Sequence, residues 1–173
     1  MSGRRPHQKA TYAGTRTAGV SALTPSAIVC LFFCMPRLDT IVRRFQQADR
    51  DTRLETLLDY SRKLPPLPDR YADARAAGLN RVHECQTPVF LWVDAGERDG
   101  DPVEIHADVP RESPTVRGFV ALLIHGLQGM TRAEVAALPV DLLDQLRLGE
   151  TIGMNRTQGL SAIVGRIRRA AGG

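Results

Sequence analysis

The sequence predicts an α+β fold: a small antiparallel sheet of about three strands flanked by helices. Three observations predict it. Apolar residues recur at helical spacing between residues 38 and 64. Short β-branched and aromatic runs punctuated by glycine and aspartate occupy residues 81–107. Helical spacing then returns from residue 115 to the C-terminus. Helices, then strands, then helices argue for an antiparallel sheet with helices packed on it. A chain of 173 residues suits one domain of ordinary size.

Residues 38–45 read as a first helix, with Ile41, Val42 and Phe45 on one face. A second begins near Asp51. Leu54, Leu57, Leu58 and Leu64 fall at helical spacing, and Asp51 and Glu55 suit its positive end. Leu64-Pro65-Pro66-Leu67-Pro68 stops it, because proline cannot continue a helix and restricts the residue before it. Residues 69–78 are a polar, alanine-rich loop or helical turn. Residues 81–83, 89–93 and 102–107 are the three strand candidates, with a turn at Gly96–Asp101. A helix over 115–129 carries an apolar stripe of Val116, Phe119, Val120, Leu123 and Leu127. Thr131-Arg132-Ala133-Glu134 is a capping box opening a short helix, and Asp141 opens another. The last helix, about 157–171, turns Leu160, Ile163, Val164 and Ile167 inward. Arg166, Arg168 and Arg169 read as its solvated face, at the end where the helix dipole favours cations.

The pI near 9.3 suggests a nucleic-acid partner, but the location of the charge argues against one. Arg4, Arg5, Lys9 and Arg16 lie in residues 1–34, which hold no acid. With those four of the 23 basic residues set aside, the remaining 19 balance the 19 acids. A neutral domain with few aromatics has no net pull on phosphates and no stacking platform.

Residues 1–34 are read as an extension, disordered or produced by a start codon assigned too early, with Met35 as the initiator. The apolar run 27–35 is shorter than the roughly 20 residues that cross a bilayer. It follows a basic stretch as in a signal peptide, yet no small-residue cleavage site follows. The expected domain is 35–173. Without Cys30 and Cys34 it holds one cysteine and no internal disulfide, which fits a reducing cytoplasm.

That cysteine, Cys85, precedes the strongest strand candidate, near the tip of a turn. It reads either as a small buried hydrophobe or as a nucleophile that a partner can reach. His83, two residues away, shares a face with Cys85 if the segment is a strand, where it could assist thiolate formation. His83, Cys85, His106 and His125 do not have the spacing of a zinc site, so no metal is expected. His125, on a mostly apolar helix, is expected to be half-buried and satisfied. No phosphate-binding glycine loop, G-x-S-x-G elbow or H-E-x-x-H motif is present.

Three blocks carry a family resemblance. Tyr60-Ser61-Arg62-Lys63-Leu64-Pro65-Pro66-Leu67 is similar to a helix ending in Leu-Pro-x-Leu. Val82-His83-Glu84-Cys85-Gln86-Thr87-Pro88-Val89-Phe90-Leu91 is similar to an acceptor-cysteine loop of pattern V-x-G-C-Q-S-x-V-W. Arg156-Thr157-Gln158-Gly159-Leu160-Ser161-Ala162-Ile163 is similar to a closing R-x-x-G-L motif. In this order they resemble the SufE family of sulfur-acceptor proteins in iron–sulfur cluster assembly, across residues 38–171.

The resemblance implies a fold like that of SufE and of the IscU-type scaffolds. It implies that Cys85 takes sulfur as a persulfide from a PLP-dependent cysteine desulfurase, stimulates that enzyme and passes the sulfur to a cluster scaffold. It implies partner or supporting roles for Gln86, Arg156 and an acidic residue, for which Glu112 and Asp108 compete. The chain would need no cofactor of its own, and would act as a transfer protein more than an independent enzyme. Neither nucleic acid nor membrane is among the expected partners. Glu84 stands where glycine is usual, so a positive φ there would be strained. The alternatives are a rhodanese-type sulfurtransferase as donor, delivery to another sulfur pathway, a single-cysteine peroxidase or reductase, and an inert structural cysteine.

Overall fold

The computed structural model describes residues 36–172. The expectations for residues 1–34, including Cys30 and Cys34, and for Met35 as initiator lie outside the described residues.

Helix α1 (Pro36–Gln47) buries Leu38, Ile41, Val42 and Phe45, one apolar face as the spacing requires. Helix α2 (Arg50–Arg62) opens on Asp49, whose carboxylate accepts from the Thr52 amide at 2.7 Å. It ends before the proline segment. A 3₁₀ turn (Asp69–Tyr71) and α3 (Ala72–Ala76) lead to the sheet.

The sheet is smaller than expected. Strands β1 (Phe90–Ala95) and β2 (Val103–Asp108) pair antiparallel, with Phe90 opposite Asp108 and Ala95 opposite Val103. The first strand candidate, 81–83, is an isolated bridge from Arg81 to Phe90. Two local features stop it from extending. Asn80, just before it, has φ 61°, and the Cys85 amide turns back to the Val82 carbonyl at 3.3 Å. The fold class stands as α+β, with two strands rather than three among the described residues.

The two faces of the sheet meet different neighbours. Leu91, Val103 and Ala107 belong to the main core. On the other face Tyr71 stacks on Trp92 with ring centroids 5.1 Å apart, and the Arg75 guanidinium lies 3.8 Å above the Phe90 ring.

Helix α4 (Pro114–Leu127) is the centre of the domain. Positions 118–123 are all buried, so it is covered on more than the single predicted stripe. It crosses α2 at Gly118, where an added Cβ would overlap the Leu57 carbonyl. The capping box of α5 (Arg132–Ala136) forms as its sequence requires, with Thr131 Oγ1 accepting from the Glu134 amide and Glu134 accepting from the Thr131 amide. Two short helices follow, α6 (Leu142–Gln145) and α7 (Leu148–Ile152), the second of which the periodicity did not reveal. Helix α8 (Met154–Ala170) buries Leu160, Ile163, Val164 and Ile167 as expected.

One core position of α2 is charged. Arg53 is buried and donates to the carbonyls of Phe45 (3.0 Å), Ala48 (3.1 Å) and Arg147 (3.4 Å), to Thr151 Oγ1 (3.3 Å) and to Glu150 (3.2 Å). It joins the end of α1 to α7. Replacing it leaves several carbonyls without a donor. Arg53→Met is predicted to lower unfolding stability by about 3 kcal/mol in denaturant titration. A loss under about 0.5 kcal/mol, the usual range for surface changes, would contradict this assignment.

Candidate functional site

The cysteine loop is built by its base. The Val82 amide donates to the Val89 carbonyl at 2.8 Å, and the Leu91 amide to the Asn80 carbonyl at 3.0 Å. Arg166 of α8 donates to the Arg81 carbonyl (3.1 Å) and the Asn80 side chain (3.0 Å), clamping the base from the other side. Arg166 stays half-exposed, so the solvated face read from the sequence also touches the loop base. Residues 83–88 are left as a short loop with Cys85 in its bend.

Cys85 is only 5 % exposed and joins the same apolar cluster as Val82, Val89 and Leu160. The thiol sits against α8 at Gly159. A Cβ placed on Gly159 would lie 3.2 Å from both the Cα and the Sγ of Cys85. Burial pushes the thiol pKa above its ordinary value, while hydrogen bonds from the Thr87 backbone and side chain act in the opposite direction. Thr87 Oγ1 also reaches Ser113 Oγ at 3.4 Å, linking the loop to the start of α4.

A groove of about 480 Å³ opens beside the sulfur. Glu84, Gln86, Glu112, Arg156 and Gln158 line it along with Cys85 and Gly159. Four of the residues singled out in the sequence, Cys85, Gln86, Glu112 and Arg156, therefore meet at one place. Of the two competing acids, Glu112 lines the groove, whereas Asp108 pairs with Arg75 at the end of β2. His83 is exposed at the turn and does not line the groove. A face shared by His83 and Cys85 requires a strand at 81–83, and the chain turns there instead. Glu84 carries no positive φ; among the described non-glycine residues only Asn80 and Arg147 do. Its substitution for glycine is therefore free of backbone strain.

His125 is exposed rather than half-buried, with its ring 5.8 Å from that of Tyr60. His106 lies beside Asp94 and Glu104, a set close enough to suggest a metal site. An Arg70 guanidinium nitrogen sits in that set instead, 3.0 Å from His106 Nε2, 3.0 Å from Asp94 and 3.6 Å from Glu104. A larger groove of about 580 Å³ runs along β2 and the far half of α4, away from the thiol, and contains no cysteine.

The family model described as SufE, Fe-S metabolism associated domain, matches residues 39–171. The chain belongs to the SufE family. It is 36 % identical over 132 residues to a SufE-like protein of Mycobacterium tuberculosis, covering 76 % of this chain and 89 % of that one. It is 29 % identical over 114 residues to the sulfur acceptor protein CsdE of Escherichia coli, covering 65 % of this chain and 72 % of the relative. A solution structure of a hypothetical protein from Thermus thermophilus superposes with TM-score 0.66 at 33 % identity, over 79 % of this chain and 93 % of that one. No helix among the described residues is long and apolar enough to cross a membrane. Gly159 lies in the Arg156–Ile163 block that resembles the SufE family, but nothing in its residue type marks it as a neighbour of the thiol. The fixed spacing from Arg156 was the available signal.

A buried thiol with a raised pKa holds its proton as pH rises through the ordinary thiol range, near pH 8.5. Alkylation of Cys85 by iodoacetamide is predicted to show a pH midpoint above that value. The free energy of folding should weaken as pH climbs from the unfolded thiol pKa towards the folded one. A midpoint below pH 8 would contradict the tucked geometry.

Proposed function

We propose that Cys85 accepts sulfur as a persulfide from a cysteine desulfurase, stimulates that enzyme by clearing its product, and delivers the sulfur to iron–sulfur cluster assembly. The observation that carries this reading is the convergence of Cys85, Gln86, Glu112 and Arg156 on one groove, in a SufE-family chain related to a named sulfur acceptor.

The chemistry is a thiol exchange without net oxidation. The Cys85 sulfur attacks the outer sulfur of the donor's cysteine persulfide. A new S–S bond forms on Cys85, the donor's S–S bond breaks, and the donor cysteine leaves as thiolate. The proton lost by Cys85 ends on that thiolate. No base of the acceptor's own is required, because the donor site can take the proton. Arg156 at the groove offers a cation to the anionic persulfide or to an acidic donor surface. Burial of Cys85 shields a labile species from solvent between partners, so transfer requires the loop to swing the sulfur outward.

Desulfurase turnover, followed as alanine release, is predicted to rise with the wild-type chain and to stay at the basal rate with Cys85→Ser of unchanged fold. Stimulation retained by Cys85→Ser would contradict the acceptor role. Arg156→Ala is predicted to weaken half-saturation of the desulfurase roughly tenfold while leaving alkylation of Cys85 by iodoacetamide unchanged. Equal loss in both assays would reassign Arg156 to holding the loop.

A further inference from the structure

We propose that Gly159 is a positioning residue for Cys85: the side chain it lacks leaves the seat of the acceptor sulfur and sets how readily the loop presents the thiol. Its functional meaning rests on the acceptor role proposed above; the contact itself does not.

Glycine in a helix interior costs stability, because it loses the most backbone freedom on folding. Gly159 lies well inside α8. It is not among the positive-φ glycines of the described residues, Gly78, Gly129, Gly153 and Gly172, so backbone geometry does not require it. Its surroundings supply the reason. An added Cβ would stand 3.2 Å from Cys85 Cα, 3.2 Å from Cys85 Sγ and 3.5 Å from Cys85 Cβ, and these are its three nearest neighbours. Gly165, six residues later in the same helix, differs. A Cβ there meets only the guanidinium end of Arg169, at 3.2 Å, which can move aside.

A methyl group at 159 requires either α8 or the loop to give by a few tenths of an ångström. Helix α8 is held by its own hydrogen bonds and by Leu160, Ile163, Val164 and Ile167 in the core. The loop is held at its base by the Val82–Val89 bond and the Arg166 clamp, and beyond the base only by the 3.3 Å Cys85–Val82 contact, the Val89–Thr87 bond and the 3.4 Å Thr87–Ser113 contact. The loop is therefore the side that yields, and it yields outward, away from the helix. Burial is the cause of the raised thiol pKa, so displacement lowers it. The charged groups lining the groove, Glu84, Glu112 and Arg156, are unchanged by the substitution.

The test compares the wild-type full chain with Gly159→Ala and Gly165→Ala. Iodoacetamide alkylation is followed against pH by mass spectrometry on the peptide that holds Cys85, so that Cys30 and Cys34 do not contribute. Gly165→Ala gives the same gain in helix propensity without touching the thiol. Gly159→Ala should alkylate about tenfold faster at neutral pH, with its pH midpoint moved down towards the ordinary thiol value. Gly165→Ala should match wild type. Equal rates and midpoints for all three chains would overturn the proposal. If Gly159→Ala melts early, Cys85→Ala in the same chain should restore part of the loss by removing the crowded sulfur; strictly additive effects would equally overturn it. Faster alkylation without any sulfur uptake from a desulfurase would reject the acceptor role and leave the positioning role standing.

Discussion

The approach of α8 to the cysteine loop at Gly159 is the contact on which the site depends. It hides the thiol from water, and the burial raises the thiol pKa. It also places Arg156, one turn earlier on the helix, at the groove beside the sulfur. A resting acceptor needs a quiet thiol, and a working one needs a reachable thiol. A loop closed at its base by Val82 and Val89 and seated on a helix without a side chain reconciles the two.

The remainder of the fold keeps α8 in place. Helix α4, buried along most of its length, is the platform for both α2 and the sheet, and Gly118 lets α2 approach closely. Arg53 ties the start of the domain to α7, immediately before α8. Arg166 joins α8 to the loop base through Asn80 and Arg81. Packing far from the thiol thus acts on it by fixing the helix that seats it.

Periodicity made the long elements legible. Helices α1, α2, α4 and α8 and the β1–β2 pair follow from apolar spacing, and the Thr131–Glu134 capping box from four residues. The short α7 was not legible, because five residues hold little more than one turn. The third strand was misread because a β-branched residue, Val82, is buried as a loop anchor rather than as part of a ladder. The role of Arg53 was hidden because charge in a sequence reads as surface, and only the fold shows carbonyls gathered around its guanidinium. The grouping of Cys85, Gln86, Glu112 and Arg156 was legible through motif resemblance alone. Their separation along the chain holds no periodic signal, and His83 shows the limit of arguing from local spacing.

The central claim is that Cys85 becomes the sulfur carrier. Its most direct test is the intact mass of the full chain after incubation with a cysteine desulfurase and cysteine, under conditions where the desulfurase itself is loaded with persulfide. The account predicts a gain of one sulfur atom that reductant removes and that Cys85→Ser lacks. An unchanged mass beside a loaded desulfurase would contradict it.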